Sequence, residues 1–128
     1  MSGDKPPAGM PMIRAIAMPA DANPNGDIFG GWLMSQMDLA AGNLAARVAH
    51  GRCVTVAVDA MSFIRPVKIG DEVTVYCDLL STGRTSLSVS VEAWRRDRSE
   101  EIDQQVTKAV FKFVAIDAEG RPRLVNPA

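Results

Sequence analysis

Asn25-Gly26-Asp27-Ile28-Phe29-Gly30-Gly31-Trp32-Leu33-Met34-Ser35-Gln36-Met37-Asp38 decides how the rest of this sequence is read. It opens on turn residues, passes two adjacent glycines and enters a helical pattern. Leu33, Met34, Met37, Ala41, Leu44, Ala45 and Val48 follow the i, i+3/i+4, i+7 spacing of one apolar face. The spacing predicts a helix from about Gly31 to Val48, closed by His50-Gly51. Asp38 falls on the flank of that face. Its neighbours one and two turns away are Gly31, Met34, Ser35, Ala41, Gly42 and Ala45. None is basic, so no ion pair along the helix accounts for the carboxylate. A helix start carries unpaired N–H groups and partial positive charge, and glycine lets a ligand approach its backbone. An acid a turn or two further in can act on whatever is held there.

Downstream the pattern changes to strand. Cys53 to Phe63 is rich in β-branched residues, with Val54, Val56, Val58 and Ala60 on one parity. Arg65-Pro66 and Ile69-Gly70-Asp71 mark a turn region, followed by a strand over Glu72–Ser81 and a turn at Thr82-Gly83-Arg84. From Thr85 to Arg96, Leu87, Val89, Val91 and Ala93 alternate with Ser86, Ser88, Ser90 and Glu92. In Gln104–Ile116, Ala109, Phe111, Phe113 and Ala115 oppose Lys108, Val110, Lys112 and Val114. Upstream, Met12–Met18 makes a short first strand ended by Pro19, and Ala20–Gly31 a loop.

A helix of this length spans about 27 Å, and strands of ten or more residues exceed about 30 Å. A twisted antiparallel sheet that long curls around one helix and buries its apolar face. The expected fold class is therefore α+β, a curled antiparallel sheet wrapped around one central helix: hotdog architecture. Residues 12–123 form the single domain, with loose tails at 1–11 and 124–128. One helix cannot cover every apolar strand position, so a second copy of the chain is expected to cover part of the rest.

The chain has 128 residues, 47% of them hydrophobic, with a formal charge of −1. That balance, with a pI near 5.8, speaks against nucleic acid as a partner. No apolar run approaches the roughly 18 residues of a membrane span, and the N-terminal stretch has no secretion signal. Cys53 and Cys77 lack metal-ligand or CxxC spacing, so reduced thiols and a cytoplasmic setting are expected, with no metal.

The quoted stretch resembles the signature of YciA-type acyl-CoA thioesterases of the hotdog superfamily. The likeness continues through Ala49-His50-Gly51-Arg52, Val54–Val58, Phe63-Ile64-Arg65-Pro66, Val67–Asp71, Gly83–Ser86 and Ala109–Ala115. The resemblance implies hydrolysis of acyl-CoA to a free acid and CoA at sites on a dimer interface. It implies no metal or redox cofactor, CoA being part of the substrate. Asp38 matches the catalytic carboxylate, Gly30 and Gly31 the backbone that receives the thioester carbonyl, and Gly83–Ser86 a segment near the CoA arm. Homodimers assembled into hexamers, as trimers of dimers, are the implied state. Related thioesterases often carry His-Gly-Gly where this chain has Phe29-Gly30-Gly31, so a histidine role there does not carry over.

The remaining candidates are weighed residue by residue. Asp27 is either a second polar group at the mouth of the site or a turn or N-cap residue. Thr55, on the parity opposite Val54 and Val56, either reaches Asp38 or is an ordinary strand former. Arg84, in a turn with Thr85 and Ser86, is a contact for CoA phosphates; Arg65, Arg52 and Lys68 are weaker ones. Asn25 at the opening of the stretch and Met34 are counted with the substrate-binding residues, and Met34 and Met37 as lining for an acyl channel. His50, the lone histidine, lies at the far end of the helix and reads as a cap. Two rival classes remain: a hotdog enoyl-CoA hydratase or dehydratase, which typically needs a histidine near the helix entrance, and a non-catalytic acyl-CoA sensor.

Overall fold

The computed structural model describes residues 5–126. A short strand β1 (Ile13–Ile16) precedes a single turn of 3₁₀ helix and then α1 (Gly30–Ala49). Four long strands follow: β2 (Cys53–Phe63), β3 (Glu72–Thr82), β4 (Ser86–Arg96) and β5 (Asp103–Ala115). They form one antiparallel sheet of five strands in the order β1-β3-β4-β5-β2. The expected hotdog architecture is what the chain adopts.

Size complementarity seats the helix. Its buried side is Leu33, Met37, Ala40, Ala41, Ala45 and Ala49, mostly alanine. Against it the sheet presents Val73, Val75, Leu87, Val89, Val91, Phe111 and Phe113, all essentially inaccessible. Small residues on the rod let it approach, and the two phenylalanines of β5 fill the gap to interior packing density. The buried side is rotated from the face read in the sequence. Ala40 and Ala49 are buried, Leu44 and Val48 only half so, and Met34 is exposed.

The alternation expected for β4 and β5 is observed: Leu87, Val89, Val91 and Ala93, and Ala109, Phe111, Phe113 and Ala115, all point into the core. β2 differs. It is the outermost strand, paired only with β5, and Val54, Val56 and Val58 are 40%, 55% and 37% exposed. Its register with β5 slips between Thr55 and Ala57 and again between Asp59 and Ser62, with Ala60 at φ +54° in the second irregularity.

At the end of α1, His50 rather than Gly51 takes the left-handed position, with φ +54°, and its N–H donates to Ala46 O. Gly51 serves a different purpose. A β-carbon there would lie 2.6 Å from Nη2 of Arg123, and that nitrogen donates to Ala49 O at 2.9 Å. A cation thus caps the helix C-terminus.

Leu124–Asn126 is not the loose tail expected. Val125 is fully buried and its N–H donates to Arg84 O at 2.8 Å, because Arg123 pins the chain to the helix end and Ile116. The last two residues of the expected tail, and the first four of the N-terminal one, lie outside the described residues. No helix among the described residues is long and apolar enough to cross a membrane.

Candidate active site

α1 begins without a side-chain cap. Phe29 is its N-cap residue and provides none. The N–H groups of Gly30 and Gly31 belong to the first turn, which has no acceptor within the helix. The entry is set by backbone bonds: Phe29 N–H donates to Asp21 O at 3.0 Å and Ile28 N–H to Val67 O at 3.0 Å. Upstream, Asn23 Oδ1 accepts the N–H groups of Asn25 and Asp27, holding the Asn-Pro-Asn-Gly turn.

One to two turns into α1, Gly31, Met34, Ser35 and Asp38 line an open cleft of about 330 Å³, closed on the sheet side by Thr55, Val58 and Phe111. Within it Thr55 Oγ1 donates to Asp38 Oδ1 at 2.5 Å. The β2 bulge builds this wall. Thr55 pairs with Phe113 and Val58 with Phe111, three residues on β2 against two on β5, so both face the helix although strict alternation would part them. Ser35 contributes no free hydroxyl hydrogen, since its Oγ donates back to Trp32 O at 2.6 Å. The carboxylate therefore has one hydroxyl donor, small apolar surroundings and open access.

A second cleft, of about 220 Å³, lies on the other side of the same helical turn, where Gly30, Phe29, Phe63 and Arg65 meet. Arg65 Nη1 donates to Gln105 O at 2.7 Å.

The other candidates are placed elsewhere within the protomer. Asp27 is neither the N-cap nor in the Asp38 cleft; its Oδ1 lies 2.6 Å from Lys68 Nζ, at the surface. Asn25 is exposed in the turn, with its N–H on Asn23. Arg84, Thr85 and Ser86 sit at the opposite end of the sheet from Gly30, where Thr85 O accepts Ala115 N–H and Arg84 O accepts Val125 N–H. A β-carbon on Gly83 in that turn would lie 2.7 Å from Ser86 Oγ, so the hydroxyl would have to turn aside for any other residue. Met37 is fully buried in the core and lines neither cleft.

A further pair near the entry went unread in the sequence. Asp71, 2% exposed, accepts Arg95 Nε at 2.6 Å and Nη2 at 3.2 Å, and also the backbone N–H of Lys68 at 2.8 Å. Asp71 raises the guanidinium pKa of Arg95 above its ordinary value through that hydrogen bond. The pair fixes the segment whose Val67 holds Ile28 at the helix entry. Asn23 and Phe63 also shape the entry. The Asn-Pro turn signature marks the first, but nothing local marks Phe63, whose ring reaches Gly30 only through the fold.

Comparison with known proteins agrees with this geometry. Residues 25–102 match the thioesterase superfamily. The Escherichia coli acyl-CoA thioester hydrolase YciA is 52% identical over 120 residues, covering 91% of this chain and 91% of its own. A hexameric thioesterase from Yersinia pestis superposes with a TM-score of 0.88 at 45% identity, over 95% of this chain and 99% of that one. A hexameric hotdog fold thioesterase of Campylobacter jejuni gives 0.86 at 37% identity, over 92% and 91%. With a lone helix acid set past two glycines in a sheet of this topology, and identity of this extent along nearly the whole chain, the protein belongs to the YciA-type acyl-CoA thioester hydrolases of the hotdog thioesterase superfamily.

Proposed function

We propose that this chain hydrolyses acyl-CoA thioesters to a free carboxylic acid and CoA, with Asp38 as the catalytic carboxylate. The observation that carries the reading is the Thr55–Asp38 hydrogen bond in an open cleft reached from an uncapped, glycine-built helix start. A thioester carbonyl is already electrophilic, and a thiol of pKa about 8.5 leaves readily. One carboxylate and a few aimed donors therefore suffice, without metal or redox chemistry.

In the base route, Asp38 takes a proton from a water as its oxygen adds to the carbonyl carbon. The N–H groups of Gly30 and Gly31 receive the oxyanion, where losing one such donor costs about 3–4 kcal/mol. Collapse breaks the C–S bond, CoA leaves as the thiolate and takes up a proton, and the acid is released. Thr55 orients Asp38 and keeps one oxygen engaged, leaving the other for the water. In the nucleophile route Asp38 itself attacks, giving a mixed anhydride that water then cleaves. Single turnover in ¹⁸O-water separates them: label in the Asp38 carboxylate establishes the anhydride.

The active unit is a dimer formed along β2. An eleven-residue apolar edge strand with a free side is a template for pairing. Two copies related by a two-fold axis would extend the sheet and cover Val54 and Val56. Such a dimer brings a second chain to the Asp38 cleft. Arg84, Thr85 and Ser86, which stand far from Gly30 in their own protomer, would then serve a neighbouring site through CoA phosphates. Hexameric relatives support assembly beyond the dimer.

The test is release of CoA, followed with a thiol reagent, from acetyl-, butyryl- and palmitoyl-CoA by wild type and Asp38→Ala. Thiol release by wild type, lost in the variant while fold and assembly persist, is expected. Tight binding without release would indicate a sensor, and enoyl-CoA hydration without release a lyase; either overturns the reading.

A further inference from the structure

The first turn of α1 parts two clefts. Gly31 and Met34 look into the open one that holds Asp38. Gly30 and Leu33 look into the other, whose apolar walls are Ile28, Phe29, Leu33, Phe63, Val67 and Val106. Its floor is the protein core: Leu33, Val67 and Val106 are 2%, 4% and 0% exposed. Its rim is two half-exposed rings, Phe29 and Phe63. Carbons of the Phe63 ring lie 3.4–3.5 Å from where a β-carbon of Gly30 would stand, so the ring is packed directly on the turn that carries the candidate oxyanion donors. The charged group at the rim, Arg65, is tied to Gln105 O.

We infer that this second cleft takes the distal end of the acyl chain and that Phe63 is the wall that sets its length. The inference rests on the proposed thioesterase function. With the carbonyl oxygen at Gly30 and Gly31, the two substituents of the carbonyl carbon leave the turn in different directions. The thiol arm of CoA is long, polar and phosphorylated and must run out to solvent, which the open cleft allows. An alkyl chain gains by leaving water for apolar walls, and the cleft that ends on the core supplies them. Phe63 is the adjustable wall. It ends β2 after the strand's second irregularity, is not part of the packed core, and its ring packs directly on Gly30 along the path into the cleft.

The experiment compares kcat/KM over straight-chain acyl-CoAs from acetyl to palmitoyl for wild type, Phe63→Ala, Phe63→Leu, Phe63→Trp and, as the competing wall, Met34→Ala. The octanoyl-to-acetyl ratio is expected to rise about tenfold in Phe63→Ala, the scale of a few methylenes accommodated in an apolar pocket. Phe63→Leu should move it the same way by less, and Phe63→Trp should lower it. A ratio that follows Met34→Ala and ignores all three Phe63 variants would place the acyl chain in the Asp38 cleft and overturn the inference. Parallel changes at every chain length would also overturn it. Failure of the underlying function looks different: wild type would then release CoA from no ester at all.

Discussion

Thr55 Oγ1 stands 2.5 Å from Asp38 Oδ1, across the gap between an edge strand and the one long helix. Neither residue can make this contact within its own element, and the β2 bulge is what turns Thr55 toward it. A hydroxyl hydrogen bond to a charged acceptor is worth about 1.5–3 kcal/mol, or roughly 10- to 100-fold in rate if spent on orientation. Thr55→Val should lower kcat by about that factor while Thr55→Ser, which restores the donor, recovers most of it. Asp38→Ala should leave less than a few per cent of turnover, by the scale of losing a general base. Steady-state kinetics on one good ester reads all three, and an unaffected Thr55→Val would make the contact merely structural.

The β2 edge yields a prediction about assembly. Val56 is 55% exposed at the bulge, on the free side of the sheet's last strand. A lysine there is the device proteins use to stop edge pairing. Val56→Lys should weaken the dimer at least about tenfold by sedimentation, since an unpaired charge in a closed interface is strongly disfavoured. Activity should fall with the dimer fraction and return as protein concentration rises. Full activity in a monomeric variant would detach the site from the interface.

Arg84 tests the phosphate contact. It is exposed in the turn after Gly83, remote from Gly30 in its own protomer. Arg84→Ala should raise KM for CoA esters about five- to tenfold with little change in kcat, as lost ground-state binding does. The effect should vanish with truncated thioesters that lack the nucleotide. Equal losses on both substrates would mean that the arginine supports the fold instead.

Much of this architecture was legible because it rests on periodicity. The alternation of β4 and β5 and the helical spacing after Gly31 each follow from one-dimensional patterns that tertiary packing then obeys. What was not legible depends on register. Val54, Val56 and Val58 read as one core face, yet the pairing of this edge strand slips twice, leaving Val54 and Val56 exposed while Val58 is turned onto the Asp38 cleft. The helix face shifted for a related reason. Alanines carry little hydrophobic signal, yet Ala40 and Ala49 are fully buried in the core. Asp27 and Asp71 looked alike in a loop-rich sequence. Only the fold shows that one pairs at the surface with Lys68 and the other is buried against Arg95.

The Asp71–Arg95 pair makes the sharpest stability prediction. Breaking a buried ion pair from one side costs about 3–5 kcal/mol, because the survivor keeps its desolvation penalty. Arg95→Met should show that loss in denaturant melts, with Asp71 stranded at 2% exposure and only the Lys68 N–H left to it. The raised guanidinium pKa of Arg95 adds stability that is fully present below arginine's ordinary pKa and is lost only as pH climbs from there through the raised value. Around neutrality this half of the pair should therefore show no pH dependence. Replacing both residues by apolar ones should recover part of the loss, although Lys68 N–H then lacks its acceptor.

At the far end of α1, His50 holds φ +54°, a conformation that costs an L-residue about 1–2 kcal/mol. Glycine adopts it freely but surrenders more entropy on folding, offsetting roughly 0.5–1 kcal/mol of the gain. His50→Gly should therefore stabilise the protein by about 0.5–1 kcal/mol. The side chain is exposed and the helix end is held independently by Arg123 on Ala49 O, so nothing else should be lost. Arg123→Ala, by contrast, should destabilise by about 1–2 kcal/mol, since it uncaps the helix and frees the chain that carries Val125. The pair of variants also speaks to chemistry. His50 is the only histidine in the sequence, and turnover by His50→Gly within about twofold of wild type would show that no imidazole takes part in general acid–base catalysis. A loss of 100-fold or more with the fold intact would put His50 into the reaction and require a partner chain to carry it to the Asp38 cleft.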